Sequence, residues 1–312
     1  MKKHLYTAWI FAFLLGALWV PVVPAVQAQD ADVDCRKKYF VPLVAAASPP
    51  AALLADHRHT DIRQIPDEWI ERAKVLVVHY AHTSHGGQVL EGLRWLEQRD
   101  PKYNAAIRAS GLVALPDDSS ALRFYDGNNY PGNTYITPEM YWQSADGLSH
   151  TRSVADSGWF GLSTWSWCGQ MSSYSQASVQ AYLDALAALE QDYPAMRFIY
   201  MTGHTDGSTP ESASALWRNN GLVRQYVQAN HKVLFDFADI ESYDPDGVFY
   251  PNATDACPWC QSWCSAHPGH FSCQALPSCA HSHGLQCTLK AQAFWYLMAR
   301  LAGWDGTPAP QP

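Results

Sequence analysis

The stretch VLVVHYAHTSHGGQ, residues 75–88, opens on an apolar run rich in β-branched side chains, Val75, Leu76, Val77 and Val78. It then breaks into the polar cluster His82, Thr83, Ser84, His85, Gly86 and Gly87. The segment 88–98 follows directly and carries Val89, Leu90, Leu93, Trp95 and Leu96 at helical spacing. The order is strand, tight loop, helix. In an open α/β sheet, ligands bind beyond the carboxyl ends of the strands, and a helix N-terminus there offers free backbone N–H groups to an anion. A serine between two histidines at such a turn is a candidate nucleophile; its plainer role is a helix N-cap.

Strand-then-helix units recur along the chain. A short helix is expected at 66–72 and the clearest one at 173–191, with Val179, Tyr182, Leu183, Leu186 and Leu189 on its core face. MRFIYM, 196–201, reads as a buried strand running into Gly203-His204-Thr205-Asp206. A helix at 211–228 leads to a strand at 233–237, whose end carries Asp236, Asp239, Glu241 and Asp244. Another helix closes the domain at 290–302. Residues 99–165 give only a strand at 122–125 and a short helix at 137–142, in long Gly/Asn/Asp/Ser-rich loops of the kind that line binding sites. The expectation is a three-layer α/β domain with a mostly parallel sheet and helices on both faces.

The start of the chain has the pattern of a secretory signal over residues 1–28: Lys2 and Lys3, an apolar core, then Val26-Gln27-Ala28 before the cleavage point. A retained membrane anchor is the alternative. An N-terminal extension at 29–65, the α/β domain at 66–304 and a tail at 305–312 complete the organisation, with a Cys-rich insertion at 251–287. Cleavage would leave 19 Lys and Arg against 29 Asp and Glu, a net charge of about −10. An acidic chain without basic runs argues against nucleic acid and, once the signal is removed, against membranes as partners. All eight cysteines fall after residue 28, and in an exported, secreted or periplasmic chain an even count reads as disulfides, with 105 possible connectivities. Pairing across the insertion is expected in preference to closure of Cys257-Pro258-Trp259-Cys260. Cys168 is either a partner of Cys35 or a thiol nucleophile beside Gly169. A structural zinc module or a redox CxxC are the other readings of the cysteines.

The polar residues collect where strands stop: 79–85, 203–206 and 236–241, with Ser278-Cys279-Ala280-His281-Ser282-His283 just before the last helix. This order of blocks resembles the GDSL or SGNH hydrolase superfamily over about residues 70–304. The resemblance implies a flavodoxin-like three-layer sheet and esterase activity. It implies Ser84 as nucleophile, Gly169 as an oxyanion donor and His281 as base. His82-Thr83-Ser84 stands where the family has Gly-Asp-Ser, Gly203-His204-Thr205-Asp206 where it has Gly-x-Asn-Asp, and Ser278 where it has an Asp before the base. His204 is then the candidate for the missing Asn donor, and Asp206, Asp236 or Asp239 for the carboxylate that orients the base. The substrate would be a small-molecule or glycan ester. No organic cofactor is implied.

A second chemistry uses the same edge. His82, His85, His204, Asp206 and His281 offer imidazole and carboxylate ligands suited to zinc, copper or non-haem iron. His79 would be turned away from them by strand alternation. A third reading is a non-catalytic glycan-binding protein, because Trp142, Trp159, Trp165, Trp167, Trp259 and Trp263 lie in loops where exposed rings could stack on sugars; the alternative is that they pack the loops down. Oligomeric state is not legible from the sequence.

Overall fold

The computed structural model describes residues 51–308; the expected signal sequence at 1–28, the expected extension up to residue 50, Cys35 and the last four residues lie outside them. Seven strands form one sheet in the order β1-β7-β6-β5-β2-β4-β3, with every neighbouring pair parallel. They are β1 (Leu53–Ala55), β2 (Val77–His82), β3 (Ala105–Ala109), β4 (Leu122–Asp126), β5 (Leu162–Ser166), β6 (Arg197–Met201) and β7 (Val233–Phe235). Counted from β2, the inner five strands β4-β2-β5-β6-β7 have the flavodoxin-like order, so the switch point lies beside β2. The expected three-layer architecture is the one observed.

The helices are α1 (Asp67–Ala73), α2 (Gly87–Arg99), α3 (Ala145–Asp156), α4 (Gln176–Asp192), α5 (Ala215–Ala229), α6 (Phe237–Ser242), α7 (Cys260–Ala266) and α8 (Gly284–Leu301). α2 packs on α8, and α4 packs on α5. Right-handed crossovers put these two pairs on opposite faces, because the chain leaves β2 in one direction and returns from β5 to β7 in the other. Burial follows: β4, β5 and β7 are buried along their whole length, and α8 is buried at 17 of its 18 residues. The α2–α8 crossing depends on Gly92, where a Cβ would lie 2.0 Å from the Cys287 carbonyl oxygen. No helix among the described residues is long and apolar enough to cross a membrane.

Several boundaries differ from the sequence reading for identifiable reasons. The described part of the expected extension supplies β1, the edge strand paired with β7, so the sheet begins before residue 66. β2 starts at Val77, with Val75 45% exposed, and continues through the polar residues to His82. α8 begins six residues earlier than expected, capped by His283, whose Nδ1 accepts from the Leu285 amide.

The cysteine pairing corrects an expectation. Cys257 bonds to Cys260, Cys264 to Cys273, and Cys279 to Cys287. The CxxC closes because residues 257–260 form a tight turn, with Cys257 at positive φ and the Cys260 amide donating to the Cys257 carbonyl. Cys168 is a free thiol. The tryptophans also side with packing: Trp142, Trp165, Trp167, Trp259 and Trp263 are buried, and only Trp159 of the six is exposed.

Candidate active site

Three adjacent strands, β6, β5 and β2, end side by side, and their following loops carry His204, Cys168 and the pair Ser84 and His85. Parallel order turns separations of about 80 and 120 residues in sequence into neighbours. At the end of β2 the chain turns at once into a 3-10 turn, Ser84–Gly86, and then into α2. That turn needs glycine at 86, because a Cβ there would sit 2.3 Å from the Cβ of His82 and 2.7 Å from that of Ser166.

The contacts define a chain of groups. Cys168 Sγ lies 3.2 Å from His85 Nδ1, and His85 Nε2 lies 3.1 Å from Asp255 Oδ2. With Asp255 accepting from Nε2–H, the free lone pair of the ring is on Nδ1, facing the thiol. Ser84 Oγ is 3.5 Å from the same sulfur. His85 is buried; burial, and then the nearby His204, lower its pKa to about 4, so the ring is neutral at pH 7. His85 is the middle of three stacked imidazoles, with His204 at 3.8 Å and His281 at 4.7 Å between centroids.

Each expected residue can now be located. Ser84 and His281 both lie against His85, but the side-chain partner of Ser84 is Cys168. His281 is exposed and sits at positive φ in a turn whose ends, Cys279 and Ser282, bridge to each other. His204 is held by a bond between its Nδ1 and the Thr205 carbonyl, which leaves Nε2 as the acceptor nitrogen. Gly169 is exposed and opens a 3-10 turn, Gly169–Ser172, so its amide belongs to the unsatisfied first turn, as does that of Ser84.

Asp206 turns outward and accepts from Ser172 and Ser208. Asp236 is taken by Arg224 and Thr202, and Asp239 by His57. The carboxylate on His85 is instead Asp255, from the Cys-rich insertion. It is placed there by its amide bond to the Thr205 carbonyl and by a bridge between Asp206 and Thr254. No periodicity or motif marks Asp255 in the sequence.

Of the proposed metal ligands, His82 bonds through Nδ1 to the Thr83 carbonyl. Its Nε2 lies 3.1 Å from Asp126, at an angle outside hydrogen-bond geometry. His85 and His204 remain close together, joined by Cys168, their donor atoms all within 4.8 Å of one another. His79 is a fully buried core histidine between Gly127 and Ser163, as strand alternation required.

The arrangement can therefore move a proton between a thiol and a neutral imidazole oriented by a carboxylate, beside amides suited to an oxyanion. Comparison of the chain with protein families, with curated proteins and with solved structures finds no match.

Proposed function

We propose that this chain is an exported hydrolase of acyl esters in which Cys168 is the nucleophile, His85 the base and Asp255 the orienting carboxylate. The observation that carries this reading is the Cys168–His85–Asp255 chain, with links of 3.2 and 3.1 Å, at the sheet's switch point. The three disulfides suit an oxidising compartment. The sheet order and the block order that resembles the SGNH hydrolases favour esters as the substrate class.

The steps balance as follows. His85 Nδ1 takes the thiol proton while Sγ attacks the carbonyl carbon, and the S–C bond forms. The oxyanion is met by the amides of Ser84 and Gly169. Collapse breaks the C–O bond, and His85 returns its proton to the departing alkoxide. Water, deprotonated by the same ring, then hydrolyses the thioester, releasing the acid and restoring the thiol. Asp255 holds the tautomer throughout. Ser84, 3.5 Å from the sulfur, lines the nucleophile's side.

Hydrolysis of short-chain acyl esters by the purified full chain tests this. Cys168→Ala is expected to lower kcat/KM by roughly 10³-fold, the scale of losing an activated nucleophile, and Ser84→Ala by less than about tenfold. The reverse ranking would return the nucleophile to Ser84, with His281 as its base.

One observation favours a second reading, a metal-dependent hydrolase: the ligand atoms of Cys168, His85 and His204 lie within 4.8 Å of one another, a donor set suited to zinc or copper. The parallel stack of the two rings, tilted by only 5°, means that one ring must turn before both can hold a single ion. Activity that falls on dialysis against a chelator and returns with zinc would select this reading.

A further inference from the structure

We infer that the buried ion pair Glu241–Lys290 is the positioning device of this centre, fixing the Thr205 peptide on which both His204 and Asp255 hang. The inference rests on reading Cys168, His85 and Asp255 as the reactive chain. Both ionic side chains are fully buried, with Lys290 Nζ 2.7 Å from Glu241 Oε1. The other carboxylate oxygen, Oε2, accepts from the Thr205 amide at 2.7 Å and from its hydroxyl at 2.9 Å. The Thr205 carbonyl then accepts from His204 Nδ1 at 2.8 Å and from the Asp255 amide at 3.1 Å.

On its other side Lys290 donates to Gln88, whose Nε2 donates at 2.6 Å to the Ala280 carbonyl, next to His281. One ion pair thus ties α8, α6 and α2 to the three loops that carry His204, Asp255 and His281. Removing two ions from water is costly, and an apolar pair of the same volume often packs as well or better. Stability alone does not call for charges here. What an apolar pair lacks is an acceptor for the Thr205 amide and hydroxyl, and a donor for Gln88.

The test separates position from stability. Glu241→Leu/Lys290→Met removes the acceptor and both charges, and Glu241→Gln/Lys290→Met removes the charges but keeps an acceptor for Thr205. Three quantities are read on the full chain: thermal unfolding, kcat and KM for ester hydrolysis, and the rate at which iodoacetamide alkylates Cys168, resolved from Cys35 by peptide mass. The first variant is expected to stay folded, with kcat and alkylation rate down tenfold or more and KM within twofold. The second is expected to recover most of both.

Equal rates in the first variant and in the wild type would overturn the inference, as would losses in both variants that follow unfolding temperature alone. If the first variant does not fold, Thr205→Val, which removes one of the two bonds to Glu241, takes its place; a kcat drop of threefold or more is expected, and an unchanged kcat would overturn the inference. A wild-type Cys168 no more reactive than a peptide thiol would instead remove the reactive chain itself, and the inference with it.

Discussion

Two clusters of histidine and carboxylate stand beyond the strand ends of this sheet, and they are closed in opposite senses. Beyond β1 and β7, three carboxylates each have a cation or an imidazole: Asp236 takes Arg224 through both Nε and Nη2, Asp56 takes Arg58 and His59, and Asp239 takes His57. Beyond β2, β5 and β6, three imidazoles stack, the central one, His85, bonds the carboxylate of Asp255, and a free thiol faces that ring with the Ser84 hydroxyl beside the sulfur. Residue types alone do not separate these clusters. Completion does: the first has its charges neutralised locally and anchors the edge of the sheet, while the second keeps groups that can still exchange a proton.

The largest effect that would sharpen this contrast is on the closed side. Arg224→Met leaves the Asp236 carboxylate, buried under β7, with only the Thr202 hydroxyl and the Asp239 amide. Stranding a buried charge in this way costs about 3–5 kcal/mol. Urea unfolding of the variant should show that loss, while the alkylation rate of Cys168 in the folded protein stays within twofold of wild type. A variant of normal stability and depressed Cys168 reactivity would erase the distinction between the clusters.

A smaller effect comes from two histidines six residues apart. His79, on β2, is satisfied by Gly127 and Ser163 and has no carboxylate partner; His85 has Asp255. Burial lowers the His79 pKa from 6.5 to about 4. The unfolded chain therefore binds that proton first, and the folded state loses stability as pH falls from about 6.5 to about 4, by about 3 kcal/mol in all for this residue. Above that window the ring is neutral in both states and contributes no slope. His79→Gln should be less stable at pH 7, through its lost bonds, yet show a shallower decline over the same window. A variant whose decline parallels the wild type would mean that the acid sensitivity arises elsewhere.

The sequence made the centre of the fold legible and its contacts less so. β2, β6 and α4 could be read because their apolar residues are continuous or periodic over enough length. Within 99–165 the strand at 122–125, β4, could also be read, but the rest could not: β3 is AAIRA, β5 is LSTWS and α3 is ADGLSHTRSVAD, elements whose packing partners, not their composition, make them form. Missing β5 hid the reason Cys168 matters, since that strand lies between β2 and β6. The tryptophans admit two readings from sequence, and burial decides for packing, with Trp142, Trp165 and Trp167 in contact with one another and Trp142 and Trp167 also in contact with Tyr182. Asp255 lay beyond reach because an irregular insertion held by disulfides has no period, and its place is set by backbone contacts to Thr205, Asp206 and Gly207.

The smallest effect bears on the carboxylate that sequence spacing favoured. Asp206 follows β6 by five residues and is two residues from His204, so proximity in the chain makes it the natural partner of a ring. The fold turns it the other way: it is exposed, with one oxygen on Ser172 and the other on Ser208, where it closes the loop before α5. Asp206→Asn keeps an acceptor oxygen and changes only a charge near the surface. It should alter stability by no more than about 0.5 kcal/mol, as surface changes usually do, and kcat/KM by less than about twofold. Asp255→Asn is the matched control, because there the lost charge sits on the Nε2–H of His85 and the wrong tautomer becomes available to the ring. A tenfold or larger fall in Asp206→Asn, with Asp255→Asn near wild type, would mean that the loop turns inward when substrate binds and that spacing along the chain had identified the working carboxylate after all.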